Sequence, residues 1–102
     1  MVGRPWVPPP RLEGLAQMLD GYFHEDFRAE YGSHQGAARA FVEDTSQEEA
    51  AEARAALEAF IAWADGVPRD AWQESLVEAG GSWQPRTLRP LREVLGILAE
   101  AR

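Results

Sequence analysis

From about residue 11 to its end, the chain repeats its apolar residues at helical spacing. Leu12, Leu15, Leu19, Phe23, Phe27 and Tyr31 follow one another in steps of three and four, which gathers them on one face of a helix. Gly21 interrupts this stripe, and a glycine in a helix interior costs up to ~1 kcal/mol relative to alanine. The pattern therefore predicts a helix over 11–20, a break, and a short helical or irregular piece over 24–31 that Gly32 ends. Ser33 is placed to cap a further helix reaching Val42, with Ala37, Ala38, Phe41 and Val42 inward and Glu43, Asp44 and Thr45 left as a loop.

Ser46 followed by Glu49 has the spacing of a capping box, in which each side chain satisfies the other's orphan backbone donor. The helix it opens puts Ala50, Ala53, Leu57, Phe60, Ile61 and Ala64 on one face, and Gly66 is placed to close it. The opposite face holds Ala51, Ala55, Ala59 and Ala62. It reads either as a surface that lets a neighbour pack closely or as helix-favouring filler facing water. Pro68 and Asp70 begin another helix reaching Ala79, with Trp72, Leu76 and Val77 as packing residues, and Gly80 and Gly81 stop it. A loop over 82–86 contains Trp83 and Pro85. Pro90 suits the first turn of a last helix that buries Leu91, Val94, Leu95 and Leu98. No segment alternates β-branched and polar residues over a strand's length. The predicted fold class is all-α: a compact single-domain bundle of about five helices over 11–102. An extended arm over 1–10 precedes it, where Pro5, Pro8, Pro9 and Pro10 favour polyproline II geometry.

Composition narrows what such a bundle can do. Four Trp, four Phe and two Tyr among 102 residues are enough to build a core, so global disorder is rejected. The absence of cysteine excludes disulfides, thiolate metal sites and a cysteine nucleophile. The N-terminal stretch has no apolar run of the kind a signal peptide or membrane anchor needs, so a cytoplasmic protein is expected. The net charge is −7, and its distribution carries more information than its size. Residues 20–58 hold ten acids against three arginines, while the rest of the chain holds seven of each, so the whole excess lies in one middle segment. Such a field repels nucleic acid and steers basic partners, or, on charge alone the stronger reading, is a solvated helix face that keeps the protein soluble. Glu48 and Glu52 form a like-charge pair one turn apart, whose repulsion is offset by their place in the first turns of a helix. Arg86, Arg89 and Arg92 form a short basic run, too sparse for a nucleic-acid face and most simply explained by pairing with the acidic segment.

Phosphate loops, nucleophile elbows and zinc-ligand spacings are absent. The densest cluster of reactive types is Tyr22, Phe23, His24, Glu25, Asp26 and Phe27. His24 with Asp26 could form an acid–base pair, or with Asp26 and His34 a metal site. The structural alternative is stronger. Phe23 and Phe27 continue the apolar stripe, Asp26 can cap the next turn, and His24 can bond to the backbone at the Gly21 break. If the segment is helical, His24 instead lies in a ladder between Asp20 and Arg28. No catalytic residue, metal or cofactor is expected.

Residues 15–26, LAQMLDGYFHED, resemble the signature of one family of contact-dependent growth-inhibition immunity proteins, in which a leucine-rich first helix is followed by Gly-Tyr-Phe-His-Gln-Asp-Trp. Gly21, Tyr22, Phe23, His24 and Asp26 match, Glu25 stands for the glutamine and Phe27 for the tryptophan. The acidic stretch that follows, the Gly80-Gly81 and Pro85 pattern and an amphipathic last helix are also similar to the family, whereas Pro90-Leu91 replaces its usual Trp-Leu. The resemblance implies a non-enzymatic immunity protein, a monomer when free, that binds and neutralises the toxin domain of a cognate effector by stoichiometric occlusion. Such toxins are often nucleases with basic clefts. The expected toxin-binding residues are therefore acidic: Glu25, Asp26, Glu30, Glu43, Asp44, Glu48, Glu49 and Glu52. The matched motif residues are expected to be scaffold. The rival readings are a helical interaction or regulatory module using the same acidic face on another partner, and, more remotely, a hydrolase built on His24 and Asp26.

Overall fold

The computed structural model describes residues 12–24, 26–80 and 83–100. The predicted arm over 1–10, Glu25 and Gly81 lie outside the described residues. All regular structure among the described residues is helical, in six segments: α1 Glu13–Tyr22, α2 Phe27–Tyr31, α3 His34–Asp44, α4 Gln47–Ala64, α5 Arg69–Glu78 and α6 Arg89–Glu100. About five were expected. The sixth is α2, a single turn where the pattern left helix and irregular structure open.

Two boundaries differ from expectation for local reasons. The first helix runs through Gly21 to Tyr22 and does not break there. The position is exposed and a Cβ would meet nothing, so the glycine weakens the helix without forcing it to stop. Leu15, Met18 and Leu19, all buried, hold that helix on the core. Glu43 and Asp44 form the last turn of α3 and not a loop, and the chain leaves the helix only at Thr45, which is extended and whose Oγ1 donates to the Phe41 carbonyl at 2.6 Å. The predicted caps are present. Ser33 Oγ accepts from the Gly36 N–H at 3.0 Å, and the Ser46–Glu49 box closes in both directions. Gly32, at φ 83°, ends α2 in a conformation that a side chain would strain.

At the core's centre α4 packs against α1, α3, α5 and α6. Its buried residues are the six that the spacing selected: Ala50, Ala53, Leu57, Phe60, Ile61 and Ala64. Its opposite face is wet, since Ala51, Ala55, Ala59 and Ala62 are exposed, so those alanines are helix-favouring filler. Gly66 follows the C-cap Asp65 but without the positive φ of a left-handed cap. The helix instead tightens, with the Gly66 N–H bonding to the Trp63 carbonyl at 3.1 Å. The closest approach of α1 to α4 is at Gly14. A Cβ there would lie 2.9 Å from the Glu52 carbonyl oxygen and 3.1 Å from its carbon, so glycine is what lets the two backbones meet. On α5, Trp72, Ser75 and Leu76 are buried, while Val77, expected to pack, is 41% exposed. Five residues beyond Trp72, it falls well around the helix from the stripe that Trp72 and Leu76 share. On α6, Leu91, Val94 and Leu98 are buried and Leu95 is half-buried.

Candidate partner-binding surface

The segment between α1 and α2 is held by aromatic packing. Phe23 is completely buried and stacks on Trp83, with centroids 4.7 Å apart and planes 22° off parallel. His34 stacks on Trp83 as well, at 5.5 Å and 21°. Phe27 meets the same indole edge-on at 6.0 Å. The motif's two phenylalanines thus act as scaffold, fixing the α1–α2 turn against a residue of the 83–88 loop. Offset stacks of this kind add ~0.5–1.5 kcal/mol each beyond the area they bury.

His24 is not part of a helical ladder, because the helix ends before it. Its Nδ1 accepts the Asp26 N–H at 3.1 Å, and its Nε2 lies 3.0 Å from Glu30 Oε1. An accepting Nδ1 places the ring proton on Nε2, which then donates to the Glu30 carboxylate. The side chain therefore braces the entry to α2. Asp26 occupies the N-cap position of that turn, yet its side chain makes no cap bond; the bond made here is from its own N–H to His24. His34 is drawn away from any shared site with His24 and Asp26. Its Nε2 is 2.6 Å from Glu93 Oε1, which also accepts from Gln35 Nε2 at 3.3 Å, tying the start of α3 to α6. Among the described residues no group of side chains is arranged to hold a metal ion.

The acidic candidates divide into two sets. Tyr22 and Tyr31 stack with centroids 5.7 Å apart, and their hydroxyl ends meet carboxylates from separate helices. Tyr22 Oη donates to Asp44 Oδ2 at 3.0 Å, and Tyr31 bonds to Glu30. Partial burial and the Asp44 carboxylate push the Tyr22 hydroxyl up to about 12. Burial and Glu30 also raise Tyr31. Glu49 continues this ridge, sensed by Tyr22 and bonded to Gln17 of α1. Beside it a groove of about 140 Å³ is lined by Glu13, Gly14, Gln17, Glu49 and Glu52. Helix packing therefore gathers Glu30, Asp44 and Glu49 about the two tyrosines, and Glu52 extends this ridge along the groove that it lines with Glu49. Asp26, Glu43 and Glu48 are exposed on neighbouring turns. The sequence did not mark Tyr22 and Tyr31 as surface residues, because both are half-buried and Tyr22 packs edge-on against Phe41.

Glu49 serves fold and surface together. The Ser46 backbone N–H, then the Ser46 hydroxyl and Gln17, hold its carboxyl below the ordinary glutamate value. A lowered folded value means that the charged form is favoured by folding. The contribution is present at neutral pH and is lost as pH falls through and below the usual glutamate range. Melting temperature followed from about pH 6 to about pH 3 should fall less steeply in Glu49→Gln than in the parent chain. Parallel curves would show that the box is not what titrates.

The basic run did not find the partners expected of it. Arg92 Nη2 lies 3.6 Å from Asp65 and Arg89 Nε 3.8 Å from Glu93, both outside the acidic segment of 20–58. Both pairs join exposed arginines to partly exposed acids and contribute little to stability.

No curated protein and no solved structure matches the chain. Residues 11–90 match the family model described as CdiI immunity protein, a span that includes the Gly21–Phe27 turn, the whole acidic ridge and Trp83. With most of its length matched, the chain belongs to the CdiI immunity protein family, whose members neutralise a toxin.

Proposed function

We propose that this protein neutralises its cognate contact-dependent growth-inhibition toxin in the cytoplasm by stoichiometric occlusion, without turnover, and that the acidic ridge is the surface that meets the toxin. The observation that carries the reading is the convergence of Glu30, Asp44 and Glu49, from α2, α3 and α4, around a stacked tyrosine pair, with Glu52 extending the ridge along the groove. Opposite charge on a toxin cleft, as in a nuclease that binds phosphates, would be drawn to this ridge and gain association rate and register from it. The tyrosine rings add the amphipathic contact area in which interface energy concentrates, and their faces suit arginine or lysine. Asp26, Glu43 and Glu48, exposed on neighbouring turns, widen the same negative field.

Glu43, Glu48 and Glu52 are exposed positions at which charge can be reversed while the Ser46–Glu49 box is kept. The triple variant Glu43→Arg, Glu48→Arg, Glu52→Arg should associate about tenfold more slowly with the cognate toxin domain, measured at low salt. It should also rescue growth less well when co-expressed with that domain. An association rate equal to that of the parent at low salt would show that the negative field of the ridge and its neighbouring turns does not steer the toxin, against this reading.

A further inference from the structure

The basic run that the acidic ridge leaves unexplained has a second setting. Arg86, beyond Trp83 in the loop before α6, faces the start of α5 across an open groove of about 390 Å³ lined by Arg69, Asp70, Gln73 and Arg86. Arg69 Nη1 donates to the Arg86 carbonyl at 3.3 Å, and Gln73 Nε2 to the Pro85 carbonyl at 2.8 Å, so both walls are fixed to each other. Unlike Arg89 and Arg92, neither Arg69 nor Arg86 has a carboxylate within ion-pair distance among the described residues. The N-cap of α5 is Pro68, which makes no side-chain cap bond to the first turn. Two guanidinium groups, a primary amide and an uncapped helix start therefore converge on one cavity of a chain whose net charge is −7.

We propose that this groove receives a carboxylate side chain of the toxin, making the immunity protein's contact surface two-signed: acidic at the ridge, basic at the groove. The inference rests on the toxin-binding reading above. A single carboxylate fits better than a nucleic-acid strand. The groove offers two cations and carries Asp70 itself, whereas strand binding draws on many phosphate contacts and the chain's overall charge opposes a polyanion. Guanidinium groups recognise carboxylates through paired, charge-assisted hydrogen bonds. Ridge and groove lie near opposite ends of α4. At ~1.5 Å per residue the fifteen positions between Glu49 and Ala64 span roughly 22 Å, which is within the width of an ordinary interface. Contacts of opposite sign at that separation fix the orientation of docking, which a uniformly acidic face would leave free.

The test measures affinity for the cognate toxin domain, using full-length parent, Arg86→Glu, the milder Arg69→Gln, and the triple variant Glu43→Arg, Glu48→Arg, Glu52→Arg. Arg86→Glu should weaken binding about tenfold or more, mainly through faster dissociation, with an unchanged melting temperature because the side chain is exposed. Reversing exposed Asp and Glu of the toxin one at a time should yield a partner that restores the affinity of Arg86→Glu. Parent-like affinity of Arg86→Glu, or failure of every toxin reversal to restore it, overturns the groove. A triple variant that still binds tightly while Arg86→Glu does not would count against the ridge and keep the groove. If the parent chain does not bind the toxin domain, both fall. A ten-nucleotide RNA that binds the parent and not Arg86→Glu would identify the ligand as phosphodiester and overturn the carboxylate assignment.

Discussion

Trp83→Ala is expected to lower the melting temperature by about 20 °C and to leave little cooperative transition at physiological temperature. Trp83 is 5% exposed and is covered by three rings: Phe23, His34 and Phe27. Truncating a buried tryptophan costs ~3–5 kcal/mol, from lost transfer energy and the cavity left behind. A domain of this size has roughly 5–15 kcal/mol in all, and each kcal/mol moves the midpoint by about 4–8 °C. The loss also reaches the surface, because Phe23 and Phe27 flank the turn in which His24 braces Glu30. Trp83→Phe, which keeps a ring between Phe23 and His34, should recover about half of the loss. Far-ultraviolet circular dichroism melts of the three proteins decide the matter. A shift under about 5 °C for Trp83→Ala would mean that the ring sandwich does not hold the turn.

Gly14→Val should be the next most damaging change. Two effects oppose each other there. Leaving glycine at a helical position gains up to ~1 kcal/mol in backbone entropy with alanine, and less with a β-branched residue. Against that, a Cβ would sit 2.9 Å from the Glu52 carbonyl oxygen, and α4 backbone cannot swing aside as a side chain can. Overpacking of this kind costs ~1–3 kcal/mol, and the two extra methyl groups of valine put it at the upper end. The clash should win, with Gly14→Ala mildly destabilised and Gly14→Val lowered by about 10–20 °C. Moving α1 off α4 also separates Gln17 from Glu49 and opens the groove between them, so toxin affinity should fall with stability. A Gly14→Ala protein more stable than the parent would show that helix propensity outweighs the close approach.

The sequence carries the helices well because their stripes are regular. All six buried positions of α4 follow from spacing alone, and the caps at Ser33 and Ser46 are where hydroxyl chemistry put them. What the sequence did not carry lies at edges and in pairings between distant residues. Gly21 looked like a break because propensity ignores the apolar anchors on either side of it, and Val77 looked buried because a two-residue apolar pair does not say which member faces in. Asp26 had the chemistry of a cap, but its side chain makes no cap bond, and it is its backbone N–H that is held, by His24. At the ridge the carboxylates were visible as charge, whereas Tyr31 was hidden in the apolar stripe and Tyr22 in the motif expected to be scaffold, because such a ring serves core and surface at once. The Arg69–Arg86 groove joins residues seventeen positions apart through backbone carbonyls, which no local pattern records.

The Phe23–Trp83 stack has a consequence in time. Its two rings are sixty residues apart in the chain, and the core beneath them is completed by Leu91, Val94 and Leu98 of the last helix. Contacts of such long separation form late, since the loop between them must close before they repay its entropy. During synthesis the first helices emerge with their apolar faces uncovered, and the turn bearing His24 and Glu30 settles only after the C-terminal segment has left the ribosome. A chain truncated before Trp83 would retain every residue of the acidic ridge without the fold that presents them.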